Sequence, residues 1–121
     1  MKVCVIDDDP LMREHIAEMA ASLGFEVVSA ENVDTGLDLI ESQGSDAAVV
    51  DILMPERDGL NFIMDVRKRR CDLHIVAISG GGRLGAGSLL SMADGLGADA
   101  TLVKPFSRTD LAMALERPAK P

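Results

Sequence analysis

The sequence predicts an α/β domain in which five parallel strands form one doubly wound sheet, ordered 2-1-3-4-5, with helices on both faces. Three observations carry that prediction. Short runs rich in Val, Ile and Ala alternate with amphipathic segments five times over. The runs are apolar throughout, as strands covered on both faces are. Right-handed crossovers leave few topologies for such a pattern, and 2-1-3-4-5 is the common one for five strands. A length of 121 residues suits one core and leaves no room for a second domain beside it. The domain is expected over 1–117, with 118–121 a loose tail.

Lys2 to Asp7 reads as the first strand and Pro10 to Leu23 as a helix, with Met12, Ile16, Met19, Ala20 and Leu23 on one face and Gly24 stopping it. Pro10 suits a first helical turn. Phe25 to Ala30 is the second strand. Asn32 caps a helix through Gln43 that turns Val33, Leu37 and Ile40 inward, with Gly44 behind it. Asp46 to Asp51 is the third strand. A loop with Pro55 and Asp58-Gly59 leads to a helix over Leu60 to Arg70, in which Phe62, Ile63 and Val66 share a face. Leu73 to Ile78 is the fourth strand, and the glycine-rich stretch Ser79 to Gly87 opens a mobile loop. Leu89 to Leu96 is a helix, Ala100 to Val103 the fifth strand, and Ser107 caps a short last helix to Glu116.

The chemistry gathers at strand ends. Asp7, Asp8 and Asp9 follow the apolar run Val3 to Ile6, and Asp51 ends the run Ala47 to Val50. In the predicted order the first and third strands are neighbours, and the ligand crevice lies outside their carboxyl ends. Carboxylates so crowded repel one another and call for a cation. Hard oxygen ligands suit Mg²⁺, which is usually held by one or two carboxylates together with a phosphate. Ser79 and Lys104 end the fourth and fifth strands and fall along the same edge.

Composition narrows the partners. Asp and Glu number 20 against 12 Lys and Arg, a net charge of −8, which disfavours direct contact with nucleic acid or an anionic membrane. A protein partner is expected. No apolar stretch approaches the ~20 residues of a membrane span, and no leader pattern precedes the first strand, so no membrane insertion and a cytoplasmic location are expected. Cys4 and Cys71 lack metal-ligand spacing and read as reduced thiols. His15 and His74 read as ordinary helix and strand residues, the seven methionines mainly as core filling, and Arg67 to Arg70 as a solvated helix end that complements the helix dipole.

Asp7-Asp8, Asp51 with Met54-Pro55 and Asp58-Gly59, Ser79, and Lys104-Pro105-Phe106 together resemble the receiver domain of bacterial two-component response regulators, a flavodoxin-like fold, over essentially the whole chain. The resemblance implies that Asp51 takes a phosphoryl group from a histidine kinase or a histidine phosphotransfer protein. It implies Mg²⁺ bound by Asp8, Asp51 and the backbone carbonyl of Leu53, with Asp7 acting through water. Lys104 and the Ser79 hydroxyl would contact the phosphoryl oxygens, a cis bond would precede Pro105, and a downstream protein target would read the state. Asp9 is a bystander near the helix start. The Leu53 side chain would flank the path of attacking water and prolong the phosphorylated state.

Two departures stand out. The family usually carries an aromatic three residues before Lys104, where this chain has Thr101, and the segment between Ser79 and Lys104 is slightly long and rich in glycine. Switching through loop ordering is therefore expected in place of ring burial. The first alternative function is a Mg²⁺-dependent phosphohydrolase with Asp7 as nucleophile and Asp9 as acid/base, which wants carboxylates late in the chain where only Asp110 and Glu116 remain. A flavin carrier suffers from the lack of Trp and Tyr. A degenerate receiver used only for binding stays open.

Overall fold

The computed structural model describes residues 1–52, 59–69, 72–80 and 86–116, and of 86–90 the backbone alone. Its elements run β1 (Lys2–Ile6), α1 (Pro10–Ser22), β2 (Glu26–Ala30), α2 (Val33–Gln43), β3 (Ala47–Asp51), α3 (Gly59–Arg69), β4 (His74–Gly80), α4 (Ala86–Leu96), β5 (Ala100–Lys104) and α5 (Arg108–Leu115). The five strands form one parallel sheet in the order β2-β1-β3-β4-β5. This is the flavodoxin-like order that the alternating pattern predicts.

Strand alternation divides the core between the two faces of the sheet. Cys4, Ile6, Ala48, Val50, Ile75 and Ala77 pack with Val33, Ile40, Phe62, Ile63, Val66 and Ala93 from α2, α3 and α4. Val3, Val5, Ala47, Val49, Val76 and Ile78 pack with Ile16, Ala20, Leu111, Ala114 and Leu115 from α1 and α5. Every residue of β3 is buried, which is why its sequence shows no polar alternation. Burial pushes the Cys4 thiol up to about 12 and keeps it unreactive.

Caps fix the helix starts that position the site. Asp9 caps α1 by accepting from the backbone N–H groups of Leu11 (3.0 Å) and Met12 (3.4 Å), so its place at the helix start has a structural task. Asn32 accepts from Thr35 N–H at 2.8 Å, and Gly44 closes α2 at φ 70°, a left-handed conformation that glycine adopts without a Cβ penalty. Ser107 and Asp110 form a reciprocal capping box on α5.

Several expectations need correction. β4 runs two residues past Ile78, because Ser79 and Gly80 pair with Val103 and Lys104 on β5. α4 starts at Ala86 instead of Leu89, so Ala86 and Gly87 belong to a helix and not to the glycine-rich loop. Arg67 is no solvated helix end. Its guanidinium donates to the carbonyls of Gly97 (2.7 Å) and Leu73 (2.7 Å) and to Asp99 (2.8 Å), tying α3 to the α4–β5 turn. The methionines are only partly core: Met12 and Met19 lie against it, whereas Met1, Met64, Met92 and Met113 are exposed. His74 is buried, and its Nε2 donates to the Ala114 carbonyl at 2.7 Å. Leu53, Met54, Pro55, Asp58, Arg70, Cys71, the segment 81–85 and the tail lie outside the described residues.

Candidate functional site

The site forms where β1, β3, β4 and β5 end on one edge of the sheet. β1 and β3 are hydrogen-bonded neighbours, with Ile6 opposite Val50, so the next residues bring Asp7 and Asp51 side by side. Alternation turns both toward the α1/α5 face, because Asp7 follows the parity of Val3 and Val5 and Asp51 that of Ala47 and Val49. Lys104 shares that face with Ala100 and Leu102. The register of three strands thus aims one ammonium at two carboxylates.

Lys104 Nζ donates to Asp51 Oδ2 at 2.8 Å and to Asp7 Oδ2 at 3.1 Å. The Lys104–Pro105 peptide bond at the end of β5 is cis. Asp7 is fully buried and Asp51 is 6% exposed, whereas Asp8 is exposed. Burial drives the Asp7 carboxyl above the usual range, with the neighbouring Asp51 charge adding to the rise; the Asp9 N–H and Lys104 offset part of it. Burial pulls the Lys104 ammonium down, but the hydrogen bond to Asp51 and the charges of Asp51 and Asp7 outweigh it, so its net shift is upward.

One oxygen from each of Asp7, Asp8 and Asp51 lies within 4.8 Å of the others. Three hard oxygens so close are the donor set that Mg²⁺ takes, so the residues present fit that ion. The Asp7–Asp8 backbone is held on several sides. Asp7 N–H donates to the Ala30 carbonyl at 3.2 Å, Asp9 N–H to Asp7 Oδ1 at 3.0 Å, and Arg13 Nη1 to the Asp7 carbonyl at 2.8 Å. The third predicted metal ligand, the Leu53 carbonyl, is outside the described residues.

Ser79 sits one residue past the level of Asp51, since Asp51 pairs with Ile78 on β4. It makes no hydrogen bond to Asp7, Asp51 or Lys104. Its hydroxyl is buried and has no hydrogen-bond partner among the described residues, an arrangement that proteins rarely leave without a ligand or water to satisfy it. Gly59, the first residue of α3, shows why no larger residue stands there. A Cβ on it would come 2.7 Å from the Asp51 carbonyl oxygen and 2.7 Å from Ile52 Cα. Thr101, at the position where the family usually carries an aromatic, lies exposed on β5.

Sequence reasoning missed Arg13, and the signal was present. It is a basic residue in the opening turns of a helix, five positions beyond Asp8, at the end where a cation opposes the helix dipole.

The comparisons agree with this geometry. The model of the response regulator receiver domain matches residues 3–116. The transcriptional regulatory protein PdtaR of Mycobacterium tuberculosis is 33% identical over 116 residues, 95% of this chain and 55% of that protein. The response regulator MprA of Mycobacterium avium is 34% identical over 126 aligned positions, 100% of this chain and 53% of its own. The chain thus spans about half the length of the curated relatives it matches. Among solved structures, a receiver domain protein from Clostridium thermocellum superposes with a TM-score of 0.83 at 27% identity, covering 93% of this chain and 89% of that one. The receiver domain of NtrX from Brucella abortus gives 0.85 at 26% identity, covering 92% of each. Proteins of this kind receive phosphate from histidine kinases and act on downstream targets. A sheet of this order, an acidic cluster at its switch point and a match along nearly the whole sequence place the chain in the response regulator receiver domain family of two-component systems.

Proposed function

We propose that this chain accepts a phosphoryl group on Asp51 from the phosphohistidine of a histidine kinase or histidine phosphotransfer protein, in a Mg²⁺-dependent reaction, and signals through contact with a downstream protein. The observation that carries the reading is the triad of Asp51, Asp7 and Lys104, joined at 2.8 and 3.1 Å, with Asp8 beside it. Asp51 is the nucleophile. One of its carboxylate oxygens attacks phosphorus, a P–O bond forms, and the P–N bond to the donor imidazole breaks and leaves the electron pair on nitrogen. Lys104 stays hydrogen-bonded to the site and offers its charge to the phosphoryl oxygens. The Ser79 hydroxyl, which has no hydrogen-bond partner among the described residues, would donate to one of them. Asp8 and Asp51 would hold Mg²⁺, with the Leu53 carbonyl as a further ligand and Asp7 acting through water. When bound, Mg²⁺ neutralises charge that gathers on the phosphoryl oxygens, which is most of what phosphoryl transfer requires.

The phosphohydrolase alternative loses support in this geometry. Asp7, its nucleophile, is fully buried beneath Lys104, and Asp9, its acid/base, is engaged as the cap of α1. Intact-mass spectrometry after incubation with Mg²⁺ and a small acyl phosphate tests the reading. Wild type should gain one phosphoryl group and Asp51→Asn none, because an amide oxygen is too poor a nucleophile. Full incorporation in Asp51→Asn would move the nucleophile to another carboxylate.

A further inference from the structure

We infer that Arg13 is a positioning residue for the metal site, holding the Asp7–Asp8 peptide so that the exposed Asp8 carboxylate stays within reach of Asp51; the inference rests on the proposed Mg²⁺ site. Arg13 is the fourth residue of α1, whose first is Pro10. A cation near the start of a helix faces the positive end of the helix dipole, an unfavourable placement. α1 carries no basic residue in its last turn, where one would be favoured. Something outside the helix must hold Arg13 in its unfavourable place, and the structure shows what does. Helical side chains lean back toward the N-terminus, and the half-buried Arg13 follows that direction until Nη1 donates to the Asp7 carbonyl at 2.8 Å.

That carbonyl belongs to the peptide joining the two aspartates. Asp7 has its side chain fixed by Lys104 and by Asp9 N–H, but Asp8 has no such tether among the described residues and owes its position to the backbone. Metal sites lose affinity when the groups that orient their ligands are removed. Arg13 also places a positive charge close to the cation site, and this charge alone would weaken Mg²⁺ binding. The two effects have opposite signs, which makes the role measurable.

Mg²⁺ titration of the metal-free protein by calorimetry, with melting curves in chelator as the folding control, separates them. Arg13→Met should bind Mg²⁺ roughly tenfold more weakly than wild type, the lower end for removal of an outer partner of a metal ligand. Arg13→Lys, which keeps a donor within reach of the Asp7 carbonyl, should recover part of that loss. Affinity in Arg13→Met equal to or tighter than wild type, with the chelated melting curve unchanged, overturns the positioning role and leaves the metal site standing. Absence of Mg²⁺ binding in wild type overturns the metal site itself.

Discussion

Lys104 touches both buried carboxylates of the site, and this double engagement sets what is expected of the protein when metal or pH is varied. Its ammonium pairs with Asp51 at 2.8 Å and with Asp7 at 3.1 Å, so an incoming cation must share or displace it. Two positive charges a few ångströms apart cost several kcal/mol even at an effective dielectric near 20. Lys104→Met should therefore bind Mg²⁺ more tightly, on the order of tenfold, which is about 1.4 kcal/mol, while accepting phosphate more poorly. Calorimetric titration beside intact-mass spectrometry reads both, and unchanged affinity would mean that the ammonium does not compete. The pH dependence has a definite sign. The Lys104 ammonium is held above its ordinary value of 10.5, so its folded-state pKa exceeds the unfolded one. Its contribution is complete below 10.5 and fades as pH rises through the folded value. Chemical unfolding followed from neutral to strongly alkaline pH should show wild type losing stability more steeply than Lys104→Met. Asp7 acts in the other range. Its carboxyl is raised above 3.8, so the folded state binds its proton more tightly, and the stability it contributes falls as pH climbs from 3.8 toward the folded value.

Between elements, the contact that most directly supports Asp51 is the seating of α3 on the end of β3. Gly59 lies where an added Cβ would come 2.7 Å from backbone atoms of Asp51 and Ile52, and backbone cannot step aside as a side-chain tip can. Gly59→Ala should cost about 1–3 kcal/mol, the usual range for overpacking, and, on the proposed function, should slow phosphoryl uptake by shifting Asp51. Gly95→Ala, also helical but with open space around it, should instead stabilise by about 0.4–1 kcal/mol. Urea midpoints of the two variants check the contrast, and equal midpoints would remove the packing argument. The same scale shows what the sequence revealed. β1 and β3 were legible because burial on both faces removes polar residues from them. The last two residues of β4 were not, since Ser79 and Gly80 carry no apolar signal and join the strand only by pairing with β5. Arg67 was illegible for a related reason: its partners Gly97 and Asp99 lie about thirty positions away, and local pattern gives only a basic helix end. The strand-end carboxylates were readable from order alone, but the bridging of two of them by Lys104 needed register that no single segment contains.

The whole molecule places a repulsive cluster at the rim of a sheet whose two cores are otherwise apolar and well filled. Neither core depends on metal, so the chain should fold without it. Asp7, Asp8 and Asp51 against Lys104 nevertheless leave a local excess of negative charge in the folded state alone, because unfolding disperses the three carboxylates. A cation that binds the assembled cluster and not the unfolded chain stabilises the fold by mass action. With Mg²⁺ at ten times its dissociation constant the gain is about 1.4 kcal/mol, which for a domain of this size is several degrees of melting temperature. The melting temperature of wild type should rise with the logarithm of Mg²⁺ concentration above the dissociation constant and return to its starting value on chelation. Asp8→Asn should flatten the dependence, since it removes an exposed ligand without disturbing the buried pair. NaCl at matched ionic strength separates site binding from general screening of the −8 charge. An equal rise with NaCl, or an undiminished Mg²⁺ response in Asp8→Asn, would assign the stabilisation to the surface as a whole and not to the strand-end cluster.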